Sequence, residues 1–177
     1  MLAYLAVINN PSDDLRLRRI VNNPARGIGA TSVERVQNLA AEQGVPMIAV
    51  MRHAGEYAAL SSAARKLERF AQLIDTLRGQ AETMELAEFY DLVCDRTDYI
   101  RALEEKNDIE SRGRLENVRE LKSNIAAFLE NDPEDATLSG FLNEIALYTD
   151  LDSAANDNCV TMMTMHSAKG LEFPCVY

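Results

Sequence analysis

The sequence predicts a mainly α-helical domain followed by a short β segment that belongs to an incomplete α/β domain. Three observations carry that reading. Apolar residues recur at helical spacing through most of the chain up to Asp150, and nothing before that point alternates as a strand does. A polar stretch, "DLDSAANDN", then interrupts the pattern. Beyond it "VTMMTM" alternates Thr with apolar residues, and Phe173 to Tyr177 begins a second apolar run. The turn between the two runs is too short for a crossover between parallel neighbours. Both strands need partners that no other segment supplies, so the chain is expected to be a piece of a larger protein.

The elements follow in order. Leu2 to Asn9 is apolar throughout and ends at the turn cluster "NNPSDD", where Ser12 or Asp13 can cap the next helix. Leu15, Leu17, Ile20 and Val21 mark that helix, with Arg16, Arg18 and Arg19 largely on its other side, and "NNPARGIG" closes it. From Thr31 to about Glu42 the stripe is Val33, Val36, Leu39 and Ala40, with Gly44 as the stop. Pro46 opens a short helix. A long one is expected from Ser61 to Arg78, burying Ala64, Leu67, Phe70, Ala71, Ile74 and Leu77 and exposing Arg65, Lys66 and Arg69. Met84 to Cys94, Tyr99 to Glu105, Arg112 to Leu129 and Leu138 to Tyr148 complete the set. The expected organisation is 1–10 leading in, a helical domain over 11–148, a linker over 149–159 and a partial domain over 160–177.

Composition bounds the function. The 177 residues are 47% hydrophobic, enough for a core. "MLAYLAVI" is too short to span a bilayer and lacks preceding basic residues, so no membrane is expected and the reading is a cytoplasmic protein. Cys94, Cys159 and Cys175 are widely spaced and odd in number, which suits buried thiols rather than a disulfide framework or a zinc site. Asp150, Asp152, Asn156 and Asp157 offer oxygen ligands but lack the central Gly and closing Glu of a calcium loop, so the stretch reads as a tether and no metal site is expected. His53 has no partner in the sequence that would make it a ligand.

The net charge of −10 is unevenly placed. Residues 1–80 carry 10 Lys+Arg against 7 Asp+Glu, a net of +3, and residues 81–177 carry 8 against 21, a net of −13. An anionic partner would therefore be met by the first half. That half holds "NPARGIGATSVERV". There Ile28 can anchor a turn while Gly27 and Gly29 let the backbone bend and approach a ligand closely. Thr31 and Glu34 fit a capping box, and Arg26 and Arg35 add charge beside a helix N-terminus suited to phosphate. A tight helix–helix turn with an ordinary cap explains the same residues.

Three stretches resemble one family. "TMHSAKGLEF" is similar to motif V of the superfamily 1 helicases of the UvrD, Rep and PcrA type. "LAYL", a polar loop and Arg19 to Gly29 resemble the entry into that family's accessory subdomain 2B, and "RLENVREL", Arg114 to Leu121, is similar to a later segment of it, with Val118 where leucine is more usual. The glycine turn argues against the RecB- and AddA-like helicase-nucleases that share the same type of motif V, whose equivalent region stands as an alternative reading.

The resemblance implies a fragment of an ATP-dependent helicase that moves three-prime to five-prime on DNA in replication or repair. Its duplex-binding turn would comprise Arg26, Gly27, Ile28, Gly29, Thr31 and Arg35. Thr164 and His166 would face single-stranded DNA, and Glu172 would approach the ribose of ATP in the intact parent. The chain has no G-x-x-x-x-G-K-[ST] phosphate loop. No catalytic residue and no cofactor is therefore expected in this piece, ATP and Mg2+ being implied for the parent alone. Its partners would be duplex and single-stranded DNA, the remaining motor domains, and repair or replication proteins. A different class of function, an acidic helical module that docks proteins, stands as the alternative.

Overall fold

The computed structural model describes residues 1–131 and 136–151, with side chains to residue 147, and beyond them Met162, Met163, Met165 and Lys169. Met1–Glu144 forms one compact unit and Ile145–Tyr177 a second. No described residue lies in a strand. The expected β segment falls almost wholly outside the described residues.

Helix α1, Leu2–Asn9, is apolar on every side, and a helix of that kind belongs in a core. Tyr4, Leu5, Val7 and Ile8 are fully buried against α2, Asp14–Ile20, and α5, Ala64–Ala81. Helix α2 is capped by Asp13, whose carboxylate accepts the Arg16 amide at 2.9 Å. Leu17 and Ile20 are buried, but Leu15, expected in the same stripe, is 74% exposed. Its place in the first turn carries it past the edge of the α1–α2 contact.

Helix α3, Ala30–Gln43, ends where Gly44 turns left-handed (φ 65°). Val45 N–H then reaches Ala40 O at 3.0 Å and Gly44 N–H reaches Ala41 O at 3.3 Å, the paired closing bonds that a C-terminal glycine makes possible. Pro46 leads into α4, Met47–Arg52, which is held to α5 by two Arg52–Asp75 hydrogen bonds of 2.8 and 2.6 Å. Two 3-10 turns, Ala54–Glu56 and Ala58–Leu60, occupy the chain before α5, so that helix starts at Ala64 rather than Ser61. Its buried stripe is the expected one, with Arg65, Lys66 and Arg69 exposed.

Helices α6, Leu86–Arg96, α7, Tyr99–Lys106, and α8, Ile109–Asn131, pack in succession. The Tyr90 hydroxyl of α6 donates to Val118 O of α8 at 2.7 Å, and Lys122 pairs with Asp91 across the same seam. Helix α9, Leu138–Leu151, sets Phe141 against Phe128 with ring centres 5.6 Å apart. Cys94 is buried, and burial pushes its thiol up to about 11. Cys159 and Cys175 lie outside the described residues.

Candidate nucleic-acid interface

The turn between α2 and α3 is built from Asn22 onward. The Asn22 side-chain oxygen accepts the amides of Arg26 at 2.7 Å and Ile28 at 3.2 Å, curling the segment into a closed loop. Ile28 is 1% exposed and fixes the loop to the core. Gly27 sits at φ 66°, a left-handed conformation that a side chain would strain. Gly29 is extended (φ −73°, ψ 158°) and a Cβ added there would meet nothing within 4 Å.

Gly29, rather than Thr31, caps α3, and this corrects the expected capping box. The extended backbone of Gly29 already turns the chain into the helix, so Ala30 is its first residue and Thr31 its second. The Thr31 hydroxyl therefore caps nothing. A glycine cap has no side chain to accept the first amides. Ser32 and Val33 N–H turn back to Gly29 O at 3.0 and 3.2 Å, while the amides of Gly29, Ala30 and Thr31 have no acceptor among the described residues. Gly27, Gly29, Ala30 and Thr31 are all exposed. The result is an exposed helix end without a side-chain cap beside a left-handed glycine, an arrangement with the chemistry to meet an anion without reading a base.

The two arginines differ. Arg35 is exposed, one turn along α3, and donates to Ala59 O at 2.8 Å. Arg26 is half-buried and points inward. Its Nη1 donates to Ile20 O and Pro24 O at 3.1 Å each, its Nη2 to Thr97 O at 3.2 Å, and its guanidinium lies 5.7 Å from the Tyr4 ring centre and 5.3 Å from that of Phe70. Burial pushes the Tyr4 phenol up to about 12 against the opposing pull of the Arg26 charge, and its hydroxyl donates to Asn23 O at 2.7 Å. The expected phosphate ligand is thus engaged by the protein itself.

A cation the sequence did not single out takes the outer position. Lys66 of α5 donates to Gly27 O at 2.9 Å and is exposed, so the turn carries a positive charge from an element 39 residues away. Nothing in local spacing signals it; only the exposed face of the α5 stripe does. Thr164, His166 and Glu172, the expected single-strand and ribose positions, lie outside the described residues. Among the described residues no group of three or more His, Cys, Asp or Glu converges as a metal site requires. His53 is exposed beside Glu56 at 3.2 Å.

The segment "RLENVREL" lies elsewhere. Arg114, Asn117 and Val118 line a cleft of about 540 Å³ with Arg19, Asn23 and Tyr99, so two of the three stretches that carry the resemblance share one wall system. Arg114 there pairs with Glu110.

The described part of the chain is all-helical and sets a helix end without a side-chain cap beside a lysine. The chain belongs to the UvrD-like helicase C-terminal domain family, whose model matches residues 1–177. It is 41% identical over 178 residues to the ATP-dependent DNA helicase PcrA of Staphylococcus aureus (strain NCTC 8325 / PS 47), covering 100% of this chain and 24% of that protein. It is 39% identical, with the same coverage, to the ATP-dependent DNA helicase PcrA of Staphylococcus epidermidis (strain ATCC 12228 / FDA PCI 1200). The chain thus spans about a quarter of the length of the curated relatives it matches. No helix among the described residues is long and apolar enough to cross a membrane.

Proposed function

We propose that this chain is the 2B accessory part of an ATP-dependent DNA helicase and that it holds duplex DNA by its phosphates at the turn from Gly27 to Thr31. The observation that supports it most is the start of α3, which has no side-chain cap and where three amides of exposed residues have no acceptor among the described residues, in a chain whose relatives are named DNA helicases. Lys66, the Thr31 hydroxyl and Arg35 stand beside these donors, and all are exposed. Backbone amides and a lysine recognise phosphate without reading sequence, so the grip suits an element that must pass along any DNA. Hydrolysis of ATP with Mg2+ and translocation from three-prime to five-prime belong, on this reading, to other parts of a longer protein.

The test is fluorescence anisotropy of a labelled duplex across a salt series. With two or three phosphates neutralised, Kd should fall in the non-specific range of roughly 10⁻⁴ to 10⁻⁶ M, and log affinity should fall with log salt at a slope of about −2 to −3. Gly29→Val places a side chain in open space at the mouth of the site and should abolish binding while the thermal transition stays in place. Binding that survives Gly29→Val together with Lys66→Ala would move the contact elsewhere and refute the assignment.

A further inference from the structure

We infer that Arg26 is a positioning residue for the phosphate-binding turn and not a phosphate ligand; the inference rests on the turn being the DNA contact. Five segments meet at its guanidinium. Ile20 O belongs to the end of α2, Pro24 O to the loop itself, and Thr97 O to the corner between α6 and α7, while Tyr4 of α1 and Phe70 of α5 supply ring faces on which the cation rests. The corner is itself constrained. Asp98, next to Thr97, holds a left-handed conformation (φ 57°), and the Thr97 hydroxyl donates to Val93 O at 2.7 Å.

Arg26 and Ile28 also give their amides to one acceptor, the Asn22 side chain, so the guanidinium staple and the loop closure act on the same few residues. Gly27 lies between the two amides, and its carbonyl is where Lys66 attaches. Removing the staple therefore loosens the residue that seats Lys66 and the residue that begins α3. A lysine at position 26 cannot replace it, because a single ammonium on a flexible stem cannot meet three carbonyls and two ring faces as a planar fork does.

A ligand and a positioner leave different marks. Loss of a phosphate ligand removes one released counterion and makes the salt slope shallower by about one unit. Loss of a positioner leaves the slope alone and lowers affinity by the fraction of molecules that still present the turn. If that fraction falls to about one in ten, affinity falls about tenfold at every salt concentration.

The experiment measures duplex affinity and salt slope for the full chain and for Arg26→Ala, Arg26→Lys and Lys66→Ala, with amide hydrogen exchange of Ile28 and Val33 as a readout independent of DNA. Expected are about tenfold weaker binding in both Arg26 variants with the parental slope, a slope shallower by about one unit in Lys66→Ala, and faster exchange at Ile28 and Val33, whose amides are bonded to Asn22 and Gly29, in the Arg26 variants alone. A shallower slope in Arg26→Ala restored by Arg26→Lys, or unchanged affinity in both, overturns the inference. Should Arg26→Ala fail to fold, Arg26→Lys is read alone by the same criteria. Should the parental chain not bind duplex, the proposed function falls, and positioning is decided by exchange: parental rates at Ile28 and Val33 in Arg26→Lys overturn it.

Discussion

Replacing each glycine of the turn with alanine should separate backbone strain from crowding. Gly27 lies at φ 66°, where a Cβ costs about 1–2 kcal/mol, and that Cβ would also stand 2.8 Å from Lys66 Nζ and 3.5 Å from its Cε. The near atom is the exposed tip of a flexible side chain, so Lys66 swings aside and gives up one exposed hydrogen bond to Gly27 O, a loss of a few tenths of a kcal/mol. Gly29 is extended, with nothing within 4 Å of a Cβ, and the weaker capping by alanine is offset by the lower entropy of the unfolded chain, leaving it within about 0.5 kcal/mol of the parent. Urea unfolding followed by far-ultraviolet circular dichroism would read both. The expectation is a loss of about 1–2 kcal/mol for Gly27→Ala and little for Gly29→Ala, with the Gly27→Ala cost nearly unchanged in a Lys66→Ala background. Equal costs at the two glycines, or a cost at Gly27 that vanishes when Lys66 is truncated, would refute the strain argument.

Other expectations test the frame around the turn. Leu17→Ala should cost about 2–4 kcal/mol by denaturant unfolding, whereas Leu15→Ser, two residues away and mostly exposed, should stay within about 0.5 kcal/mol of the parent. The Arg16 amide holds the Asp13 carboxyl below its ordinary value, so its contribution is complete above about pH 4 and is lost as pH falls through the folded-state value. Asp13→Asn should flatten the stability profile in that acid window only, as read by unfolding midpoints against pH. Cys94, with its thiol raised to about 11 by burial, should be alkylated at pH 8 about a hundredfold more slowly in the folded chain than in urea, with peptide mapping to separate it from Cys159 and Cys175.

Helix existence was legible because each helix is set by its own residues. The α5 stripe, the Gly44 stop and the Asp13 cap are all local signals, and the structure agrees with each. Boundaries failed where a neighbouring conformation intervened: the 3-10 turns before Ala64 delay α5, and the extended backbone of Gly29 starts α3 before Thr31 can cap it. Leu15 shows the limit of periodicity, since a residue can keep the spacing of a stripe and still stand beyond the end of the surface that would cover it. At the site, the bend at Gly27 and the Ile28 anchor were readable from residue type. The inward course of Arg26 was not, because Tyr4, Phe70 and Thr97 lie far from it in the chain. Lys66 was read only as solvent-facing, and its attachment to Gly27 depends on where α5 crosses the loop.

The seating of α1 on α5 has a kinetic consequence. Most helices here touch their neighbours in sequence, and such local pairings close small loops and form quickly. The α1–α5 contact is of another kind, since it joins Leu2–Asn9 to Ala64–Ala81 and must close all the chain from Asn9 to Ala64 before Tyr4, Leu5, Val7 and Ile8 gain any burial there. Tyr4 is also one of the two rings beneath Arg26. Helical hairpins can thus assemble while the glycine turn still lacks its floor. The turn matures when α1 docks and loosens when α1 lifts away, so the Ile28 amide, bonded to Asn22, should exchange through a lower-energy opening than the middle of α5.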